Sequence, residues 1–244
     1  MNVNIMQNLQ ERNKHLAENL RIGGLSQFST CDWPGQIVTT VFLQGCPWRC
    51  NYCHNTHLLQ EKGSENLSWN DVYDFIKKRR HLLDGVVFSG GEPTLQLALH
   101  DAIRKIHDLG LLVGLHSAGP YPERLKQILP SVDWIGFDVK TLFMHYEHIT
   151  HVPGSGQKAL QSLEYVLASR IPYEIRTTFD YSCMPPAAIE QLATELHRMG
   201  VDNYCIQMAR PVRSGKRVLS GDHPAYNFST LLAKQFVHST VRNH

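Results

Sequence analysis

Six short apolar runs, each followed by a helical pattern, leave this chain few ways to fold. Ile37–Leu43, Gly85–Phe88, Leu111–Leu115, Trp134–Asp138, Glu174–Thr178 and Asn203–Gln207 are rich in branched and aromatic residues and alternate little with polar ones. Strands of that composition suit a parallel sheet covered on both faces. The stretches between them carry helix punctuation. Ser68-x-x-Asp71 is a capping signal for a helix reaching about Leu83. Leu95–Leu109 stops at Gly110, and Pro186–Met199 stops at Gly200. Pro122 opens a short helix that Pro130 ends, and Gln157–Ala168 supplies another. The expected fold is α/β, a partial (β/α)6 barrel of parallel strands, with a doubly wound sheet as the alternative. Six units fall short of the eight that close a barrel.

The same pattern sets the domain organisation. Residues 1–21 are polar and Asn-rich and read as an appended, helical extension. Residues 22–244 read as a single domain with a basic C-terminal segment. From Met208 onward six basic residues (Arg210, Arg213, Lys216, Arg217, Lys234 and Arg242) face one acid, Asp222. Pro211–Pro224 reads as a loop, and a last helix is expected from Tyr226 to about Ser239. Lys77-Lys78-Arg79-Arg80 lies late in a predicted helix, where cations favour the dipole. The net charge of +2 gives no support for nucleic-acid binding. No apolar run reaches the roughly 18 residues of a membrane span. The N-terminus lacks the apolar stretch of a secretory signal, so the cytoplasm is the expected compartment.

Of six cysteines, Cys46, Cys50 and Cys53 crowd into eight residues, directly after the first predicted strand. A disulfide framework is not built that way; a metal site is. The spacing Cys-x3-Cys-x2-Cys lets three thiolates hold three irons of a cube whose fourth iron keeps an open position. The alternative is a zinc site completed by His54 or His57. Cys31, Cys183 and Cys205 are dispersed and read as buried free thiols, with Cys31 placed near the active face.

The cysteine motif, with Tyr52 before the last cysteine, resembles the radical S-adenosylmethionine superfamily. The resemblance implies a radical SAM type of partial barrel, a [4Fe–4S] cluster on Cys46, Cys50 and Cys53, and S-adenosylmethionine chelated to the open iron. Reductive cleavage of its C–S bond would give a 5′-deoxyadenosyl radical. Ser89-Gly90-Gly91-Glu92-Pro93 is similar to the motif that meets the amino group of S-adenosylmethionine, although a strand-to-helix turn would use Gly-Gly anyway. Phe137-Asp138-Val139-Lys140 looks like the Asp-x-Lys segment of glycyl-radical-enzyme activases; alone it would read as a strand-end salt bridge. Arg176, charged in a predicted buried strand, is similar to an arginine of the same family and suits a carboxylate of S-adenosylmethionine. Tyr52, His54, Gly90, Gly91, Asp138, Val139, Lys140 and Arg176 are thus the expected cofactor-binding residues. No protein residue is expected to act as catalytic acid or base.

Ile22-Gly23-Gly24-Leu25, Asp32-Trp33-Pro34-Gly35 and Phe42-Leu43-Gln44-Gly45-Cys46-Pro47-Trp48 sharpen the resemblance, to activating proteins of class III ribonucleotide reductase. It implies a glycyl radical enzyme as partner and a flavodoxin- or ferredoxin-type electron donor. One departure stands out. Activases of the pyruvate formate-lyase type carry Asp-Thr-Asn-Gly after the third strand, where two side chains help hold a monovalent cation; here the segment is His116-Ser117-Ala118-Gly119. Imidazole is a poor ligand for so hard an ion, so no such cation is expected. Two rivals remain. One is a radical enzyme acting on a small molecule such as a deazapurine precursor. The other is a zinc module that binds nucleic acid through the basic tail.

Overall fold

The computed structural model describes residues 16–63, 67–209 and 228–242. One eight-stranded sheet runs in the order β1 to β8. Its strands are β1 (Ile22–Ser29), β2 (Val38–Leu43), β3 (Gly85–Gly90), β4 (Leu112–Ser117), β5 (Trp134–Asp138), β6 (Tyr173–Phe179), β7 (Asn203–Met208) and β8 (His238–Arg242). β1 lies antiparallel to β2; every later neighbour is parallel. β1 and β8 are the two ends of the order, so the sheet curls without closing.

The helices are α1 (Trp69–Arg79), α2 (Leu99–His107), α3 (Pro122–Ile128), α4 (Tyr146–Thr150), α5 (Ser155–Ser169), α6 (Pro186–Arg198) and α7 (Phe228–Ala233). Their starts and stops follow the expected signals. Ser68 Oγ accepts from the Asp71 amide at 3.1 Å, and Gly110 and Gly200 take φ +78° and +88° after their helices. The buried faces, Trp69, Val72 and Ile76 on α1 and Ile189, Leu192, Ala193 and Leu196 on α6, pack on the outside of the sheet.

All six expected strands are present, and the partial barrel stands with two strands added. Ile22–Ser29 forms β1 although Gly23 and Gly24 weaken its strand pattern. The expected helix from Tyr226 to Ser239 is a correction: α7 covers only Phe228–Ala233, and His238–Arg242 turns into a seventh parallel strand. The run His238-Ser239-Thr240-Val241-Arg242 is too polar to announce a buried strand; pairing with β7 decides it. The extension expected for residues 1–21 lies outside the described residues but for 16–21, which hold a single 3₁₀ turn at Ala17–Asn19. Of the dispersed cysteines expected to be buried, Cys205 is buried on β7, whereas Cys31 is exposed and Cys183 half-buried because both sit in loops beyond strand ends. The Pro211–Pro224 loop and the cations Arg210, Arg213, Lys216 and Arg217 also lie outside them.

Inside the barrel a separate apolar cluster of Trp33, Val38, Val87 and Trp134 closes the end where the strands begin. Trp33 stacks on Trp134 with centroids 5.4 Å apart. The Asp32-Trp33-Pro34-Gly35 stretch is therefore a plug as well as a turn. Removing so large a buried ring leaves a cavity that the rigid strands cannot fill. Trp33→Ala should cost about 3–5 kcal/mol in a denaturant melt.

Candidate functional site

At the opposite end, where the strands finish, loops surround a cavity of about 370 Å³. Cys46, Cys50, Tyr52, Cys53, His54, Gly90, Gly91, Asp138, Lys140 and Arg176 all line it. Val139 alone of the expected residues points away. Its side chain is in the core, while its amide donates to the Arg176 carbonyl at 2.8 Å.

The cysteine loop leaves β2 through Gln44 and Gly45. Gly45 takes φ +98°, and its amide donates to the Leu58 carbonyl at 2.7 Å. Gln44 Nε2 donates to the carbonyls of His57 and Gln60, at 2.9 and 2.7 Å. The far side is tied to α4: Arg49 and Asn51 amides donate to the carbonyls of Thr150 and Ile149, at 2.9 and 3.3 Å. Trp48, 2% exposed, packs edge-on against Tyr146. The thiols are thus presented by a loop fixed at both ends. Burial pushes Cys46 up to about 12 and raises Cys50, whose rise the Lys140 charge opposes. Binding metal must therefore displace protons from these thiols.

The three cysteines line one cavity, which fits an iron–sulfur cluster held through separate irons. Among the described residues no group of three or more His, Cys, Asp or Glu is arranged to hold one metal ion. A cube does not require convergence, because each thiolate takes a different iron. A second fit lies beside it. The Tyr52 hydroxyl is buried in the cavity wall and has no hydrogen-bond partner among the described residues, so it fits a polar ligand there.

The Gly-Gly turn also has a packing duty. A Cβ on Gly90 would lie 2.3 Å from the Leu43 nitrogen, and one on Gly91 2.3 Å from the Gly45 oxygen. The glycines admit the backbone of β2 before they admit any ligand. Glu92, 1% exposed, accepts from the Thr94 amide and hydroxyl, the Ser117 hydroxyl and the Ala118 amide, and so ties the end of β3 to the end of β4.

Asp138 and Lys140 pair at 2.9 Å. Burial would raise the Asp138 carboxyl, but the Lys140 ammonium and Arg176 hold it below its ordinary value. Burial likewise works against the Lys140 charge, and Asp138 drives its pKa upward instead. Arg176 donates to Glu174 Oε1 at 2.7 Å and to the Asp32 carbonyl at 3.2 Å, and its Nη1 lies 3.0 Å from His116 Nε2, which itself sits 2.7 Å from that carbonyl. His116, in the slot where a cation site was not expected, faces these groups and Ser89 Oγ. Desolvation, and then the Arg176 charge, push its imidazole down to about 4.

Sequence reasoning missed the structural duties of Glu92, Asp32, His116 and Glu174. Glu174 carried a usable signal: it lies two residues before Arg176 on one strand, hence on the same face.

The model of the radical SAM superfamily matches residues 40–197, well over half of the chain. The chain belongs to the radical SAM superfamily. That superfamily uses a [4Fe–4S] cluster and S-adenosylmethionine. A Methanocaldococcus jannaschii protein assigned as a glycyl-radical enzyme activating enzyme is 30% identical over 200 residues, covering 78% of this chain and 80% of that one. The pyruvate formate-lyase-activating enzyme of Clostridium pasteurianum is 30% identical over 57% of this chain and 56% of its own. The fold superposes on Streptococcus suis SuiB bound to S-adenosylmethionine with a TM-score of 0.64 at 12% identity, over all of this chain and 57% of that one. The chain thus spans little more than half of the last two. Its relatives make it an enzyme of the radical SAM activating kind. Among the described residues no helix is long and apolar enough to cross a membrane.

Two measurements follow from the geometry. Anaerobically reconstituted protein should hold about four irons per chain, and Cys50→Ala should lose them; iron retained in full by that variant contradicts the cluster site. His116 binds its proton more weakly folded than unfolded, so its contribution to stability is present above pH 6.5 and is lost as the pH falls toward about 4. His116→Gln should flatten that part of the stability curve, by at most about 3 kcal/mol.

Proposed function

We propose that this protein is an activase that abstracts a hydrogen atom from a glycine Cα of a partner enzyme, leaving a stable backbone radical, and that the partner is class III ribonucleotide reductase. The observation that carries the reading is a single cavity, at the C-terminal ends of the strands, bordered by the three cysteines, the Gly-Gly turn and the Asp138–Lys140 pair. Functional residues concentrate at that end of parallel barrels. When bound, the cluster and S-adenosylmethionine supply the electron and the hydrogen-abstracting radical.

The residues of this chain then have separable tasks. Cys46, Cys50 and Cys53 hold the cluster. Lys140, fixed by Asp138, favours the thiolate of Cys50 and sets positive charge beside the cofactor. Tyr52, His54, Gly90, Gly91, Asp138, Lys140 and Arg176 border the S-adenosylmethionine site, and Val139 holds Arg176 through the backbone. Trp48 and Tyr146 keep water from the back of the loop. No side chain needs to take a proton from the substrate, because the hydrogen leaves as an atom. The open edge between β1 and β8 suits a loop of a large substrate, which must bring its glycine within about 3–3.5 Å of the reacting atom.

The choice of partner rests on the stretches from Ile22 to Trp48 and on His116. That imidazole is already engaged by Arg176 and the Asp32 carbonyl, which supports the departure from the pyruvate formate-lyase type. The electron donor is proposed to be a flavodoxin- or ferredoxin-type carrier meeting the outer side of the cysteine loop. There Cys46 also lines a depression of about 480 Å³ with Arg49, Glu61 and Lys62.

The test is anaerobic incubation with S-adenosylmethionine, a strong reductant and the class III reductase of the same organism. A glycyl-radical EPR doublet on the reductase is expected. Cleavage of S-adenosylmethionine without that doublet removes this partner. A doublet on a pyruvate formate-lyase instead would keep the activase and change its client.

A further inference from the structure

β8 belongs to no motif, yet its register sets Arg242 opposite Gln207 of β7, beside the cavity. From there the guanidinium reaches Glu174 on β6, with Nη1 2.8 Å from Oε1 and Nη2 2.6 Å from Oε2. Glu174 is 3% exposed, and the same Oε1 accepts from Arg176 Nε at 2.7 Å. One carboxylate therefore carries two guanidiniums, and the trio keeps one net positive charge inside the barrel.

The seat for Arg176 is shaped on its other sides too. A Cβ on Gly136 would lie 2.7 Å from Arg176 Cζ, so only glycine leaves room for the head where it stands. The Trp134 ring lies under it at 5.0 Å. Buried ion pairs of this kind are weak sources of net stability, whereas a bidentate grip fixes direction.

We propose that β8 is a positioning element of the cofactor site: Arg242, acting through Glu174, holds the Arg176 guanidinium at the angle from which its charge faces an anionic group of S-adenosylmethionine. This rests on the reading of Arg176 as part of the S-adenosylmethionine site. Arg242 does not line the cavity; it sets the pose of a residue that does.

The probe is S-adenosylmethionine itself, titrated into anaerobically reconstituted protein, with iron content and melting temperature recorded for each variant. Arg242→Met should weaken binding roughly fivefold with the iron unchanged. Arg242→Lys keeps the charge but cannot grip both oxygens, so its loss should be smaller. Gly136→Ala leaves the Arg242–Glu174 pair in place and displaces the guanidinium directly; it should weaken binding as Arg242→Met does. In an Arg176→Met background, Arg242→Met should add nothing further, the signature of two residues acting through one group. A strand that merely stabilised the fold would lower the melting temperature in both backgrounds and leave the affinity alone. If Arg176→Met itself stays within about twofold of the parent, Arg176 is not part of the cofactor site and the underlying reading falls. If Arg176→Met weakens binding while both Arg242 variants do not, the positioning role of β8 is overturned and the site stands.

Discussion

Two strand ends in direct backbone contact organise the functional half of this molecule. The Gly91 amide donates to the Leu43 carbonyl and the Glu92 amide to the Gly45 carbonyl, both at 2.9 Å. Such an approach is open only to residues without a Cβ, since any side chain at 90 or 91 would overlap the end of β2. The contact holds the start of the cysteine loop against the end of β3. Glu92 extends it to β4 through Ser117 and Ala118. Three consecutive strand ends are thereby locked together before any cofactor arrives. The cavity they border is built into the fold, as preorganised sites must be.

Charge inside the barrel follows from that frame. The seven parallel strands point Thr40, Ser89, His116, Asp138, Glu174 and Arg176 inward, a polar interior that a packed barrel would fill with branched apolar residues. Each charge has a partner. Asp138 pairs with Lys140, and Glu174 with Arg176 and Arg242. Burial first, and the Arg176 charge second, lower the proton affinity of His116. The apolar plug of Trp33 and Trp134 closes the far end.

The six core strands and most helix ends were legible because their signals are local: branched runs, a serine cap, glycines after helices. That Cys46, Cys50 and Cys53 gather at one cavity and that Asp138 meets Lys140 was legible for a similar reason, since short spacing keeps their side chains together at a strand end. What stayed hidden depends on contacts distant in sequence. β8 is a strand only because β7 offers it hydrogen bonds. Asp32 reads as part of a turn until its carbonyl meets His116 and Arg176, residues 84 and 144 positions away. Val139 sits inside a recognised motif, yet strand parity turns its side chain into the core while Asp138 and Lys140 face the cavity.

An open, polar barrel is a poor choice if stability is the aim. Desolvating Glu174 and Arg176 costs free energy that their attraction only partly returns, and an unclosed sheet keeps two edge strands that a closed barrel would not have. Both features become useful if the interior must hold a charged cofactor and admit part of another protein. Paired ions present charge in a fixed direction without reorganising when a ligand arrives. Among the described residues β1 and β8 do not pair with each other, and an unclosed sheet suits a macromolecular substrate better than a closed barrel would. Burial of the large apolar residues was therefore placed elsewhere, on the outer face under the helices and in the plug. Those two layers supply rigidity to strands whose inner faces are committed to chemistry.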